Sequence, residues 1–268
     1  MGRAGVLRGL VAAVVATVGM GLVAPGAVAV DDQPVGGVTV VAEQAGAPAP
    51  GNEQEVRSHW GVGAGKAATL RPSKRLNHID TRQKVAYLTF DDGPDPRWTP
   101  RVAQVLRKHH VKGTFFVVGN AAQRNPKVLR SLLAQGHVVA NHSFSHPVLT
   151  RQSPAAVRQQ LQRTDRAIGG SRCYRPPYGA VNRTVDTVAG SLGIRYSVLW
   201  NVDSNDWRRP GVRTITNTVV RTTRPGSIIL MHDGGGNRSQ TVAALDQSIT
   251  RLKKQGYTFK VLSQCGRR

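Results

Sequence analysis

Residues 81–268 contain no glutamate, although the 268-residue chain carries 15 acidic side chains in all. That absence excludes from this region a glutamate-based glycosidase pair and the glutamate base of an H-E-x-x-H protease. Every carboxylate side chain available for chemistry there is one of nine aspartates. Cysteine is as scarce. Cys173 and Cys265 are the only two, too few for a cysteine-only zinc site or a disulfide-dense scaffold. Any metal must therefore rest mainly on histidine and carboxylate. Aromatic residues make up only 5% of the chain, short of the interleaved aromatics with which single-strand nucleic-acid binders stack bases. A nucleic-acid partner is not expected, despite a net charge of +22. Beyond the first 29 residues no apolar run is long enough to span a bilayer.

Those first residues read as an export signal. Arg3 and Arg8 give a positive start, residues 10–23 are almost wholly small or apolar, and Pro25-Gly26 precedes Ala27-Val28-Ala29, an A-x-A cleavage pattern. Cleavage is expected after Ala29, which would leave a secreted chain without a spanning segment; an uncleaved anchor is the alternative. Residues 30–80 hold five basic and six acidic groups and an Ala-Gly-Pro stretch at 45–51, the composition of a flexible extension. Residues 81–268 hold 30 basic and nine acidic groups, net +21. Such a charge favours approach to an anionic surface.

From residue 84 short apolar runs alternate with longer helical patterns. Strands are expected at 85–90, 113–118, 137–140, 196–202, 227–231 and 257–262, and helices at 100–109, 126–135, 154–168, 182–192, 213–222 and 241–255. Proline near several helix starts and glycine soon after several ends supply the usual boundary chemistry. Repeated strand-helix alternation means α/β with a parallel sheet. The length is short for a full eight-unit barrel, which favours a distorted, shortened (β/α) barrel over a doubly wound open sheet. In either architecture reactive groups gather at the carboxyl ends of strands.

Polar residues do follow the apolar runs. The run at 85–90 leads into Asp91-Asp92-Gly93-Pro94, where a turn can bring adjacent carboxylates to one pocket; an Asx turn or helix cap is the structural alternative. The run at 138–140 leads into Asn141-His142-Ser143-Phe144-Ser145-His146, whose two imidazoles share a face if the stretch makes a helical turn. One aspartate with two histidines is a common metal triad that leaves positions open for water. Arg175-Pro176-Pro177-Tyr178, Asp203-Ser204-Asn205-Asp206-Trp207 and Leu230-Met231-His232-Asp233 follow three further apolar stretches. Individually these could be a stiffened turn, a capping loop and a loop histidine. The remaining histidines, His59, His78, His109, His110 and His137, show no partner pattern and are read as structural or exposed. Asp206 is read as a loop cap and Asp233 as a brace for its turn.

Taken in order, T-F-D-D-G-P (89–94), H-S-x-x-H (142–146), R-P-P-Y (175–178), D-x-x-D-W (203–207) and L-M-H (230–232) resemble the five motifs of the polysaccharide deacetylases, carbohydrate esterase family four. The resemblance covers about residues 82–264. It implies metal-dependent removal of acetyl groups from a polysaccharide, with one divalent ion, usually zinc and alternatively cobalt, on Asp92, His142 and His146. Asp91 would be the general base, Arg175 its partner, and the Tyr178 N–H a donor to the oxyanion. His232 would be the general acid, held by Asp203, with Trp207 and Leu230 forming an apolar wall. A bridge between Cys173 and Cys265 is plausible in an exported protein. The expected substrate is an N-acetylglucosamine glycan, peptidoglycan or chitin-like, acted on by a monomer. Acetylxylan remains open, as does a silent glycan-binding role.

Overall fold

The run Val85–Asp91 is buried along almost its whole length, as strands flanked on both sides by packed side chains must be. It lies near the middle of an all-parallel sheet in a computed structural model that describes residues 71–268. The export signal read at 1–29, and residues 30–70 of the extension, lie outside the described residues. In chain order the elements are β1 (Lys74–Leu76), β2 (Val85–Asp91), α1 (Thr99–Lys108), β3 (Thr114–Val117), α2 (Gly119–Arg124), α3 (Pro126–Ala134), β4 (Val138–Asn141) and α4 (Pro154–Ile168). They continue with β5 (Cys173–Tyr174), α5 (Arg183–Ser191), β6 (Tyr196–Val198), β7 (Val202–Asp203), α6 (Val212–Thr222), β8 (Ile228–His232), α7 (Ser239–Lys254) and β9 (Thr258–Phe259).

The sheet order is β1-β6-β5-β4-β3-β2-β8-β7, with β9 added beside β2. The fold is a curled, shortened (β/α) barrel. Alternation along the strands divides its core. Phe115 and Val117 join α1, α3, α6 and α7 in one cluster, whereas Phe116 faces a second that includes Ala140, Val198 and Ile228. Helix ends follow local chemistry: Ser153 Oγ accepts from Ala156 N at 3.2 Å at the start of α4, and Gly169, at φ 80°, takes the left-handed position that closes it. Among the described residues no helix is long and apolar enough to cross a membrane.

Four sequence expectations are corrected. The ordered domain begins before residue 81, because Lys74–Leu76 forms an edge strand paired with β6; its Lys-Arg-Leu sequence carries no apolar alternation to announce it. The strand expected at 196–202 is two, β6 and β7, separated where the chain turns out around Trp200. The strand expected at 257–262 is only two residues long, after which Leu262 tucks into the core and its N–H donates to Thr114 Oγ1 at 3.1 Å. Helix α2 was not expected, since Gly-Asn-Ala-Ala-Gln-Arg has little apolar periodicity. The close fit of Gly119 against Phe144 and Thr164, where a Cβ would meet side-chain atoms within 2.7 Å, requires glycine.

Cys173 on β5 and Cys265 form a disulfide, with Cα atoms 4.8 Å apart. His137 is a buried structural group, as expected: its Nδ1 accepts from Gly113 N at 3.1 Å and its ring meets Phe115 edge-on. Burial, aided by the Lys112 charge, holds this imidazole down to about 4. An unfolded chain takes up the same proton near pH 6.5. The stability contributed by the neutral ring is thus full above about pH 6.5 and is lost as pH falls toward 4, roughly 3 kcal/mol in all. In denaturant titrations at pH 7 and 4.5, His137→Gln is expected to lose about 2 to 3 kcal/mol less than the parent between the two values. Identical losses in both proteins would show that His137 does not carry this dependence.

Candidate active site

The carboxyl ends of β2, β4, β5, β7 and β8 open on one cavity of about 420 Å³. Asp91 closes β2 and lies beside His232 across the β2–β8 ladder. Asp92 follows at φ 73°, in the left-handed region that Asp tolerates better than most residues. That reversal turns the second carboxylate into the same cavity as the first, as the turn sequence suggested.

His142 and His146 meet, but not on a helical turn. The segment after β4 is irregular, and Ser143 and His146 both take positive φ (63° and 60°). This conformation brings the two rings to a centroid distance of 4.9 Å. His142 Nε2 lies 3.5 Å and His146 Nε2 3.3 Å from the same oxygen, Asp92 Oδ1. One donor atom from each of the three side chains falls within 4.8 Å of the others. The tautomer of His142 is set from behind. Its Nδ1 lies 2.8 Å from the Arg175 carbonyl, which can only accept, so Nδ1 carries a proton and Nε2 is the ring nitrogen left facing the cavity. Donor type, convergence and tautomer all fit a divalent ion. Burial works against ionising Asp92, but hydrogen bonding and charge from His142, with His232 and His146 adding, outweigh it and hold the carboxyl at about 2.

Arg175 is wholly buried and each guanidinium nitrogen is engaged. Nη1 donates to Asp91 Oδ1 at 2.7 Å and to Thr89 Oγ1 at 2.9 Å, while Nε and Nη2 donate to the Val198 and Leu199 carbonyls. The guanidinium also sits 4.1 Å from the centre of the Phe116 ring. The expected Arg175–Asp91 pair is therefore present, and it leaves Asp91 Oδ2 on the side of His142 Nε2, 3.7 Å away. Removing the arginine would strand a buried carboxylate, at a cost of about 3–5 kcal/mol.

The partner of His232 is not the expected one. His232 Nδ1 lies 2.7 Å from Asp206 Oδ1, while Asp206 Oδ2 accepts from the His232 backbone N–H at 2.9 Å and from Thr241 Oγ1 at 2.7 Å. Asp203 instead accepts from Asn205 N at 2.8 Å and lines the cavity with no hydrogen bond or ion pair to His232. Asn205, at φ 53°, reverses the chain between the two aspartates, so that the second, not the first, faces β8. Asp206, read as a loop cap, is instead fully buried and paired with His232. Burial alone would lower the proton affinity of His232; the Asp206 hydrogen bond and charge raise it above its ordinary value. Asp233 braces its turn as expected, donating its N–H to the Asp91 carbonyl at 3.0 Å and accepting from Thr99 Oγ1.

Trp207 and Leu230 line the cavity as expected. So does Tyr178, 68% exposed, with its ring edge-on to His146. Sequence reasoning missed Trp200, another wall of the cavity; lying inside an apolar run, it looked like a strand residue. His109, read as structural or exposed, is tied to α7 through Asp246, its Nε2 lying 2.5 Å from Oδ1.

Residues 78–197 match the family profile described as polysaccharide deacetylase. A peptidoglycan-N-acetylglucosamine deacetylase of Bacillus cereus is 38% identical over 192 residues, 69% of this chain and 90% of the relative. The chain belongs to the polysaccharide deacetylase family. A chitooligosaccharide deacetylase of Sinorhizobium fredii is 42% identical over 194 residues, covering 66% of this chain and 90% of that one. Among solved structures, a peptidoglycan N-acetylglucosamine deacetylase superposes with a TM-score of 0.69 at 33% identity, covering 72% of this chain and 92% of the other. The protein is thus a polysaccharide deacetylase with the barrel of that family.

Proposed function

We propose that this enzyme removes the N-acetyl group from N-acetylglucosamine units of a polysaccharide, releasing acetate and leaving the free amine. The observation that carries this reading is the imidazole of His232, oriented by Asp206, in the same cavity as Asp91 and the Asp92, His142, His146 cluster. An amide nitrogen leaves only as it is protonated, so a positioned acid matters more for an amide than for an ester. The relatives named above act on peptidoglycan N-acetylglucosamine and on chitooligosaccharides, which supports the same sugar here.

Asp92, His142 and His146 would hold one divalent ion, zinc by preference for two imidazoles and a carboxylate. Bound there, the ion supplies Lewis acidity, making water easier to deprotonate and the acetyl carbonyl easier to attack. Asp91 Oδ2 accepts the proton of the attacking water while Arg175 fixes Oδ1. The Tyr178 N–H donates to the developing oxyanion. His232 Nε2–H delivers a proton to the departing nitrogen, and Asp206 keeps Nδ1 as the donor on the far side. Trp200, Trp207 and Leu230 exclude water around the acetyl methyl and the sugar face. The export pattern at 1–29 and the net charge of +21 on residues 81–268 favour a secreted enzyme working on an anionic cell-wall glycan, for which peptidoglycan is the leading substrate.

Acetate release from peptidoglycan, chitooligosaccharides and acetylxylan, with and without a chelator, tests this reading. Chelator-sensitive release from the N-acetylated glycans, exceeding that from acetylxylan, is expected. Equal or greater release from acetylxylan would make the enzyme an O-deacetylase, and full activity in metal-free protein would remove the metal from the mechanism. No release from any of the three would favour the silent binding role.

A further inference from the structure

The loop between the two histidine ligands is held from two helices: the Gly119 and Asn120 N–H groups at the start of α2 donate to the Ser143 and Phe144 carbonyls at 2.9 and 3.0 Å, and α4 supplies the side-chain contacts. The Gln160 Oε1 atom accepts from the N–H groups of both Phe144 and Ser145 at 2.9 Å, and its Nε2 donates to Ser145 Oγ at 2.9 Å. Asn141, the fully buried residue before His142, donates through Nδ2 to the Leu161 carbonyl at 2.8 Å and to Asp165 Oδ1 at 3.0 Å. These two acceptors fix the amide so that its oxygen takes the Ser143 N–H at 2.9 Å. Ser143 is thereby kept at positive φ, and its Oγ accepts the His146 N–H at 3.1 Å. A path of hydrogen bonds thus runs from α4 through Asn141 and Ser143 to the His146 N–H, and Asn141 and Ser143 flank His142 in the chain.

A second interaction fixes α4 from the other side. Asp165 is buried and its Oδ2 accepts from Arg268, whose side chain is 30% exposed. Arg268 is delivered there by a segment anchored three ways: the Cys173–Cys265 disulfide, Ser171 Oγ on the Cys265 carbonyl at 3.1 Å, and Arg172 N on the Gly266 carbonyl at 3.3 Å. None of these groups reaches the cavity.

We propose that Gln160 and Asp165 are positioning residues for the metal site, and that residues 265–268 complete the hold through Arg268. The inference rests on the metal reading given under Proposed function. Partners behind the ligands commonly govern metal affinity by tenfold or more without touching the ion, because a ligand without its supporting hydrogen bond wanders from the geometry the ion needs.

The test is zinc affinity of the full chain, by competition with a chromogenic chelator, together with the visible spectrum of the cobalt-loaded protein. Gln160→Leu and Asp165→Ala are expected to weaken zinc binding about tenfold and to alter the cobalt spectrum. Arg268→Ala is expected to weaken it severalfold, with recovery in Arg268→Lys. Ile249→Val, a core truncation on α7 far from these groups in sequence, controls for loss of stability: it should lower the melting temperature and leave zinc affinity unchanged. If Asp165→Ala does not fold, Gln160→Leu and the part-exposed Arg268→Ala decide. Folded variants with parental zinc affinity and spectrum overturn the proposal and leave the metal reading standing. A parent protein that binds neither ion overturns both.

Discussion

Asp91→Asn is expected to lower turnover about 10³-fold while the protein keeps its full complement of divalent ion. The reason is geometric. Asp91 Oδ1 is held by Arg175 at 2.7 Å, an arrangement that asparagine can reproduce by turning its carbonyl oxygen to the guanidinium. What it cannot reproduce is a basic oxygen on the other side, where the Oδ2 atom now stands. Asp92 is different: its Oδ1 is the common neighbour of both imidazoles. Asp92→Asn, like His142→Ala, should lose the ion as well as the activity. Metal analysis of the dialysed variants beside their acetate release separates the two roles. An Asp91→Asn protein that emerges without metal would reverse the assignment of the adjacent aspartates.

Replacing Asp206 with asparagine should cost about 10²–10³-fold in kcat on an N-acetylated glycan, whereas Asp203→Asn should change it by less than about tenfold. The carboxylate of Asp206 holds the His232 ring by Nδ1 and the backbone N–H of the same residue. Its loss removes both the orientation of the ring and the negative charge that raises its proton affinity. Because the proton is needed chiefly by a nitrogen leaving group, the effect should be much smaller on a simple acetyl ester. Thr241 also donates to Asp206, so the variant will lose some stability, and the amide-to-ester ratio is the readout that a stability loss alone leaves unchanged. A larger loss from Asp203→Asn than from Asp206→Asn would restore the arrangement the sequence suggested.

That reversal shows where one-dimensional reading runs out. The two aspartates stand three residues apart, Asp203 ending β7 and Asp206 in the turn beyond it, and nothing in composition or periodicity distinguishes them. The choice is made by Asn205, whose left-handed backbone swings Asp206 under β8. The histidine pair teaches the same lesson in reverse. Spacing of four suggested a helical turn, and the two rings do converge, yet the loop achieves this through two positive-φ residues and hydrogen bonds borrowed from Gln160 and Asn141. Trp200 escaped notice because a tryptophan within an apolar run has the signature of a strand until the strand is seen to break.

Alternating apolar runs and amphipathic helices determined by themselves that the chain is α/β with a parallel sheet and polar residues at its strand ends, because burial on both faces of such a sheet and on one stripe of each helix is written directly into residue order, while chain length only favoured a barrel over an open sheet. The absence of glutamate and the scarcity of cysteine confined any metal to aspartate and histidine for the same local reason. Only the tertiary structure decided which aspartate serves His232, that Cys173 reaches Cys265 across 92 residues, and that the ligand loop leans on α4. Those facts depend on long-range register and on a few backbone reversals. Each is set by packing partners far away in sequence, which no local pattern records.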